Sequence, residues 1–262
     1  MIEEFKYFLL GLIQGIAEFF PISSSGHILL LSSVLDVAEK NPLLLSITVH
    51  FATTLSTIVI YNNKLKNILF GIIKQKDSMA ISYLLKVLIS SIPILIVGLF
   101  LKDYVELLFN NSTLLVLIML FITGCVLILT AFFSLGAKSI SYYYAFLIGL
   151  AQAVAILPGI SRSGATIATA LFLKIDKKNA ADFSFIMVLL PIIGITFLEL
   201  IIFTSSEIQL DFAQMKGLVI AFITSFISGV FACKYMISIV QHNNLKYFGL
   251  YCILVAILGF FI

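Results

Sequence analysis

The sequence predicts an all-α polytopic membrane protein with an inverted-topology repeat, each half a re-entrant helix hairpin followed by three transmembrane helices. Three observations lead there. Of the 262 residues, 61% are hydrophobic and only 11% charged, and mean hydropathy is +1.15; a soluble domain carries about 25% charged residues. The apolar residues form long unbroken runs, which suit spanning helices and not the alternating pattern of a membrane barrel. One stretch also occurs twice. Slid by 138 positions without a gap, Gly11, Leu12, Gln14, Ala17, Ile22, Ser23, Ser25 and Gly26 fall on Gly149, Leu150, Gln152, Ala155, Ile160, Ser161, Ser163 and Gly164. Chance does not readily give that density of Gly, Gln and Ser matches.

The elements follow in order within a single membrane domain, 1–262. Repeat one, 1–135, opens with a re-entrant hairpin at 5–35 and continues with spans at 42–61, 81–101 and 112–135. Repeat two, 141–262, has its hairpin at 141–173 and spans at 180–203, 215–240 and 245–262. Each span is near or above the ~18–20 apolar residues that a bilayer core requires. The hairpins differ because Pro21 with Ser23–Ser25, and Pro158 with Gly159, Ser161 and Ser163, cut each apolar stretch into halves too short to cross. Irregular backbone at that depth survives only where protein or a water-filled cavity covers it. Three crossings per unit is an odd number, so the second copy enters upside down. Pro93 and Pro191 are expected to kink their helices.

Charge sidedness gives an orientation. Lys64, Lys66, Lys74, Lys76, Lys138, Lys174, Lys177, Lys178 and Lys246 fall on one side, which the positive-inside rule makes cytoplasmic. The other side is rich in acidic residues, among them Glu3, Glu4, Asp36, Glu39, Asp103, Glu106, Glu207 and Asp211, and holds both termini. The acidic start, Met1-Ile2-Glu3-Glu4, does not resemble a cleavable leader. Cys125, Cys233 and Cys252 lie in apolar runs without ligand spacing and are expected to be packing residues. Net charge of +3 says little about partners, and no nucleic-acid partner is expected.

The chemistry concentrates in the two turns. An ionised group at mid-membrane costs at least about 2.5–3.5 kcal/mol, so such residues face a cavity, find partners and do work. Opposed turns would bring Arg162 toward Glu18 and His27. An arginine fork matches phosphate oxygens, helix N-termini after the Ser-Gly turns add N–H donors, and Ser25, Ser161, Ser163 and Thr166 add hydroxyls. Together these make a phosphate-type anion site. Gln14 and Glu18, four apart on one helix face, form an oxygen-donor pair suited to Mg²⁺ or Ca²⁺. Ser24 and His27 are three apart, so an imidazole could activate a hydroxyl. Structural readings stand beside these: Ser23 and Ser163 as helix caps, Gln14 and Gln152 as paired amides, Glu18–Arg162 as a structural ion pair. His50, accompanied only by Thr53 and Thr54, is expected to be a packing residue.

Gln14-Gly-Ile-Ala-Glu18-Phe-Phe-Pro-Ile-Ser-Ser-Ser-Gly-His27 resembles the (E/Q)xxxE…PxSSxGH signature of the undecaprenyl-diphosphate phosphatases, the bacitracin-resistance family. Pro158-Gly-Ile-Ser-Arg-Ser-Gly-Ala-Thr166 is similar to that family's PGxSRSxxT signature. The resemblance covers the whole chain. It implies a phosphatase of the bacterial cell membrane that removes the terminal phosphate of undecaprenyl diphosphate, recycling the carrier lipid for peptidoglycan synthesis. It also implies divalent-metal dependence, an outward-facing site, bacitracin resistance and a homodimer as an option. By position it makes Glu18 the motif's acidic residue, Ser24 and His27 the nucleophile and base candidates, and Arg162 the phosphate clamp, with Ser161 and Thr166 in support. Gln14 stands where the pattern admits Glu, leaving one carboxylate in the motif. Serine, histidine and metal-bound water all remain open as nucleophile. Acid-phosphatase-like lipid phosphatases fit poorly, since Ala168 stands where their second motif needs histidine. The competing class is a polyprenyl-phosphate transporter or flippase, because transporters also use inverted repeats and broken helices.

Overall fold

The computed structural model describes residues 2–34, 42–100, 113–133, 136–204, 212–242 and 244–261. Among them it is helical throughout, with no strand beyond one isolated bridge, Lys138 with Ile175. The helices are α1 (Ile2–Phe19), α2 (Ser24–Val34), α3 (Pro42–Ile60), α4 (Asn62–Phe70), α5 (Ser78–Phe100), α6 (Thr113–Leu129), α7 (Tyr142–Val154), α8 (Arg162–Phe172), α9 (Lys177–Met187), α10 (Leu189–Thr204), α11 (Phe212–His242) and α12 (Lys246–Gly259).

Among the described residues, four helical segments are long and apolar enough to cross a bilayer: Ser78–Phe100, Thr113–Phe132, Lys177–Leu198 and Phe212–His242. A fifth arises if the bent pair Leu44–Ile60 and Asn62–Gln75 counts as one span. At the two duplicated stretches the chain forms the helix pairs α1–α2 and α7–α8, each interrupted at the Pro/Ser turn. Rows of Leu, Ile and Phe on α5, α10 and α11, such as Leu88, Ile92, Leu95, Leu99, Ile195, Phe197, Ile223 and Ile227, stay exposed. That is the surface of a chain solvated by hydrocarbon, and the protein is multi-pass.

Helix α3 lies where the span at 42–61 was expected, and the chain then turns by 72° into α4. The lysine-bearing connection at 62–80 is itself mostly helix, α4 running into a π-turn at Gly71–Gln75. At 245–262 the helix has only 14 residues, about 21 Å of rise, short of a full crossing. The helix at 180–203 is broken at Val188, between α9 and α10, because Pro191 has no N–H to give Met187. Pro93 lies inside the continuous helix α5. Asp36, Glu39, Asp103, Glu106, Glu207 and Asp211, which carried the acidic half of the sidedness reading, lie outside the described residues.

Packing between helices relies on small residues, as expected where lipid is as apolar as the helix surface. A Cβ on Gly11 would lie 2.4 Å from the Ala221 carbonyl oxygen of α11, and one on Gly149 would lie 2.3 Å from the Ser90 carbonyl oxygen of α5. The duplicated glycine therefore serves the same purpose twice. The pairing is reciprocal: α1 packs on α11 and α7 on α5, while α6 and α12 pack on each other. Ser225 and Ser56 tie α3 to α11 by hydroxyl bonds to the Val49 and Phe226 carbonyls.

Candidate active site

The two interrupted turns are built alike. Ser23 Oγ accepts from the Gly26 N–H at 3.3 Å, and Ser161 Oγ accepts from the Gly164 N–H at 3.1 Å. Each thus caps the helix that follows it. Ser23 and Ser25 share a hydroxyl bond of 3.4 Å, and Ser161 and Ser163 one of 3.3 Å. Helix α6 holds the second turn: Thr123 Oγ1 donates to the Gly159 carbonyl at 3.1 Å and accepts from the Ser161 N–H at 3.2 Å. Helix α12 lies against the first turn, with Cys252 Sγ 3.7 Å from the Pro21 carbonyl. The backbones differ at two positions: Gly159 stands opposite Pro21, and Ser161, at φ −76°, stands opposite Ser23. Gly159 takes φ +94°, and a Cβ there would lie 2.3 Å from the Val116 carbonyl oxygen. In the first turn Ser23 holds φ +70°, a left-handed conformation costing a non-glycine residue about 1–2 kcal/mol.

The turns meet at Glu18. Its carboxylate, 7% exposed, pairs through Oε1 with Arg162, which comes from the other turn. Its Oε2 accepts from Gln14 Nε2 at 3.0 Å and from Ser24 Oγ at 2.9 Å. Ser163 Oγ donates across the gap to the Phe20 carbonyl at 3.3 Å. A narrow open cleft starts at this cluster; Glu18, Arg162, Ser163, Thr53, Thr57 and Ser184 are among its lining residues. Phe19 and Phe185, ring centroids 5.8 Å apart, also line it.

The other candidates are placed differently. Ser24 and His27 share no hydrogen bond. His27 Nδ1 donates to the Ser23 carbonyl at 2.9 Å, and its Nε2 accepts from the Tyr251 hydroxyl at 2.8 Å, the two rings stacked. Both imidazole nitrogens are therefore engaged away from the serine, whose hydroxyl is oriented by Glu18 instead. Thr166 is buried and donates to the Arg162 carbonyl at 2.8 Å, with Ser184 Oγ 2.5 Å away; it braces the arginine's own turn of helix. Ser161 is equally buried in its cap. Gln14 and Gln152 do not pair: no bond joins them, and the Gln152 amide atoms are buried with no hydrogen-bond partner.

One residue was undervalued by the sequence. His50 Nε2 lies 3.7 Å from Glu18 Oε2. A signal existed, because Ser46, His50, Thr53, Thr54 and Thr57 recur at helical spacing and give the apolar helix α3 a polar stripe. Thr53 and Thr57 of that stripe line the cleft.

Residues 7–258 match the family described as bacitracin resistance protein BacA. The chain belongs to the BacA family. A curated BacA relative from Bacteroides fragilis, named undecaprenyl-diphosphatase, is 43% identical over 97% of this chain and 96% of its own length. Relatives of the same name from Bacteroides thetaiotaomicron and Methanococcus maripaludis are 41% and 37% identical, over 93% and 95% of this chain and 93% and 96% of theirs. The BacA match spans both turns, so the pairing of Glu18 with Arg162 falls wholly inside it.

For the expected metal, the donors in this BacA chain are few. Among the described residues no three His, Cys, Asp or Glu side chains gather as a metal cluster. Gln14 presents its N–H₂ to Glu18, while its Oε1 is buried and has no hydrogen-bond partner. A turn of the amide would direct that orphan oxygen to the carboxylate side, and the two oxygens then fit a hard divalent cation.

Proposed function

We propose that this chain hydrolyses undecaprenyl diphosphate to undecaprenyl phosphate and inorganic phosphate, recycling the carrier lipid and so conferring bacitracin resistance. One observation carries the reading: a nearly buried carboxylate, Glu18, holds at once the Ser24 hydroxyl and the Arg162 guanidinium from the other turn. A purely structural ion pair has no need of an oriented serine.

In the mechanism, Ser24 Oγ attacks the terminal phosphorus in line with the bridging oxygen. Its proton passes to Glu18 Oε2, 2.9 Å away, and undecaprenyl phosphate leaves with the electrons of the broken P–O bond. Arg162 exchanges Glu18 for the phosphate oxygens, where its fork opposes the charge of the transition state. Water then attacks the phosphoserine phosphorus, the Oγ–P bond breaks, Glu18 returns its proton to Ser24 Oγ, and phosphate leaves with the water's oxygen and protons. A divalent ion held by Gln14 and Glu18 would neutralise phosphate charge. The cap serines Ser23 and Ser161 keep both turns in shape, and Ser25, Ser163 and Thr166 support them.

The same reading places the protein in the bacterial cell membrane, its cleft toward the outer face and its lysine-rich loops inside. It makes the chain one domain of two inverted repeats. Support comes from the duplicated motif, the matching serine caps and the reciprocal packing of α1 on α11 and α7 on α5. That architecture also favours a second reading, movement of the carrier lipid across the bilayer. Purified protein in detergent separates the two. Phosphate release from a polyprenyl diphosphate with Mg²⁺, lost in Glu18→Gln and Arg162→Ala, is the expected result; no release by the wild type would leave transport.

A further inference from the structure

We infer that His50 is a metal ligand, the nitrogen donor of a mixed site completed by Glu18 and Gln14. The inference deepens the metal-assisted reading of the cleft and rests on it. The Nδ1 of His50 lies 2.8 Å from the Ser46 carbonyl, a group that can only accept. Nδ1 therefore carries a hydrogen, and in the neutral ring the lone pair is on Nε2. That lone pair lies on the Glu18 side, 3.7 Å from Oε2. With the ring neutral, two acceptors face each other at this separation, an arrangement that a cation between them would relieve. The spacing is too wide for a good hydrogen bond, yet it suits two ligands of one ion at metal–ligand bonds of about 2.0–2.2 Å. A ring N–H given to a backbone carbonyl is also how metal-bound histidines are habitually held.

Gln14 supplies an independent observation. It is 0% exposed, and its Oε1 has no partner. With the amide turned, Nε2 vacates its place on Glu18 Oε2 and Oε1 becomes the third donor. Ser24 keeps its own bond to Oε2, so the nucleophile stays oriented. Arg162 remains on Oε1, the other oxygen of the carboxylate.

The donor set has a chemical consequence. Two oxygens alone suit Mg²⁺ or Ca²⁺, whereas an imidazole with two oxygens favours metals that accept nitrogen, Mn²⁺ and Zn²⁺ above Mg²⁺ and Ca²⁺. His50 thus shifts the selectivity of a site whose remaining ligands are hard.

Pulsed electron paramagnetic resonance of Mn²⁺ added to the purified full chain tests this. The wild type should show ¹⁴N modulation from a coordinated imidazole. His50→Gln, which can offer only its side-chain amide, should lose that modulation and bind Mn²⁺ at least about tenfold more weakly, while Mg²⁺ affinity changes less. His27→Gln should keep the modulation, since both nitrogens of His27 are already engaged. Thermal unfolding without metal checks that His50→Gln folds. Absence of ¹⁴N coupling in the wild type, its persistence in folded His50→Gln, or no Mn²⁺ binding at all overturns the assignment. Phosphate release measured on the same wild-type sample reports separately on the phosphatase reading.

Discussion

In the proposed reaction Glu18 carries most of the chemical burden, and its neighbours make sharp predictions. Glu18→Gln keeps the size but loses the proton acceptor and the charge facing Arg162; turnover should fall by about 10²–10⁴, measured as phosphate released per folded molecule. Arg162→Lys should not rescue Arg162→Ala, because a single ammonium cannot engage two phosphate oxygens as the guanidinium does. A lysine variant within twofold of wild type would remove the clamp from the mechanism. Ser24→Ala should abolish any acid-stable phosphoprotein trapped during turnover, whereas His27→Gln should leave it trappable. Glu18 and Arg162 were legible in the sequence because a charge inside an apolar run demands a partner. The partner of Ser24 was not. Spacing alone favoured His27, but the left-handed turn at Ser23 aims the serine back at α1 and the histidine at Tyr251. His50 escaped for a similar reason: its neighbour in space is 32 positions away in sequence, on α1.

Helices and turns were legible in proportion to how locally they are determined. Hydropathy alone located α5, α6 and α11, since a span needs only length and apolarity. The breaks within α1–α2 and α7–α8 followed from Pro, Gly and Ser. The 72° bend after Ile60 had no such marker. It coincides with Tyr61, whose hydroxyl donates to Asp182 Oδ1 at 3.0 Å, and is followed by Lys64, 2.7 Å from Asp182 Oδ2. A contact with α9 is invisible to a local reading of α3. Close approach of helices is testable at the duplicated glycine. Gly149→Val must push α7 away from α5, and overpacking of this kind costs about 1–3 kcal/mol; a lowered unfolding temperature in detergent is the expected readout. Thr123→Val removes the hydroxyl that holds the second turn at both Gly159 and Ser161. Turnover should drop, because Arg162 begins the helix that follows this turn, and the unfolding temperature should fall with it, because the buried Ser161 N–H loses its acceptor.

At the scale of the molecule, one ion pair stands apart from the cleft. Lys64 and Asp182, with Tyr61, join the helix after the bend to α9 beyond Phe185. Asp182→Asn should lower stability by about 1–3 kcal/mol and leave turnover per folded molecule near wild type. A collapse of turnover in folded protein would instead bring this cluster into the catalytic cycle.

The reciprocal seating of α1 on α11 bears on how the chain is born. Ser228 reaches back 216 residues to the Leu12 carbonyl, and the atoms nearest to a Cβ on Gly11 or Gly15 all belong to α11. During synthesis the first hairpin therefore leaves the ribosome long before its landing surface. A polar tip without a berth has to be sheltered by the insertion machinery or wait at the bilayer edge. Gly15→Val should leave the hairpin without that berth even in the full chain, read as a lowered unfolding temperature in detergent.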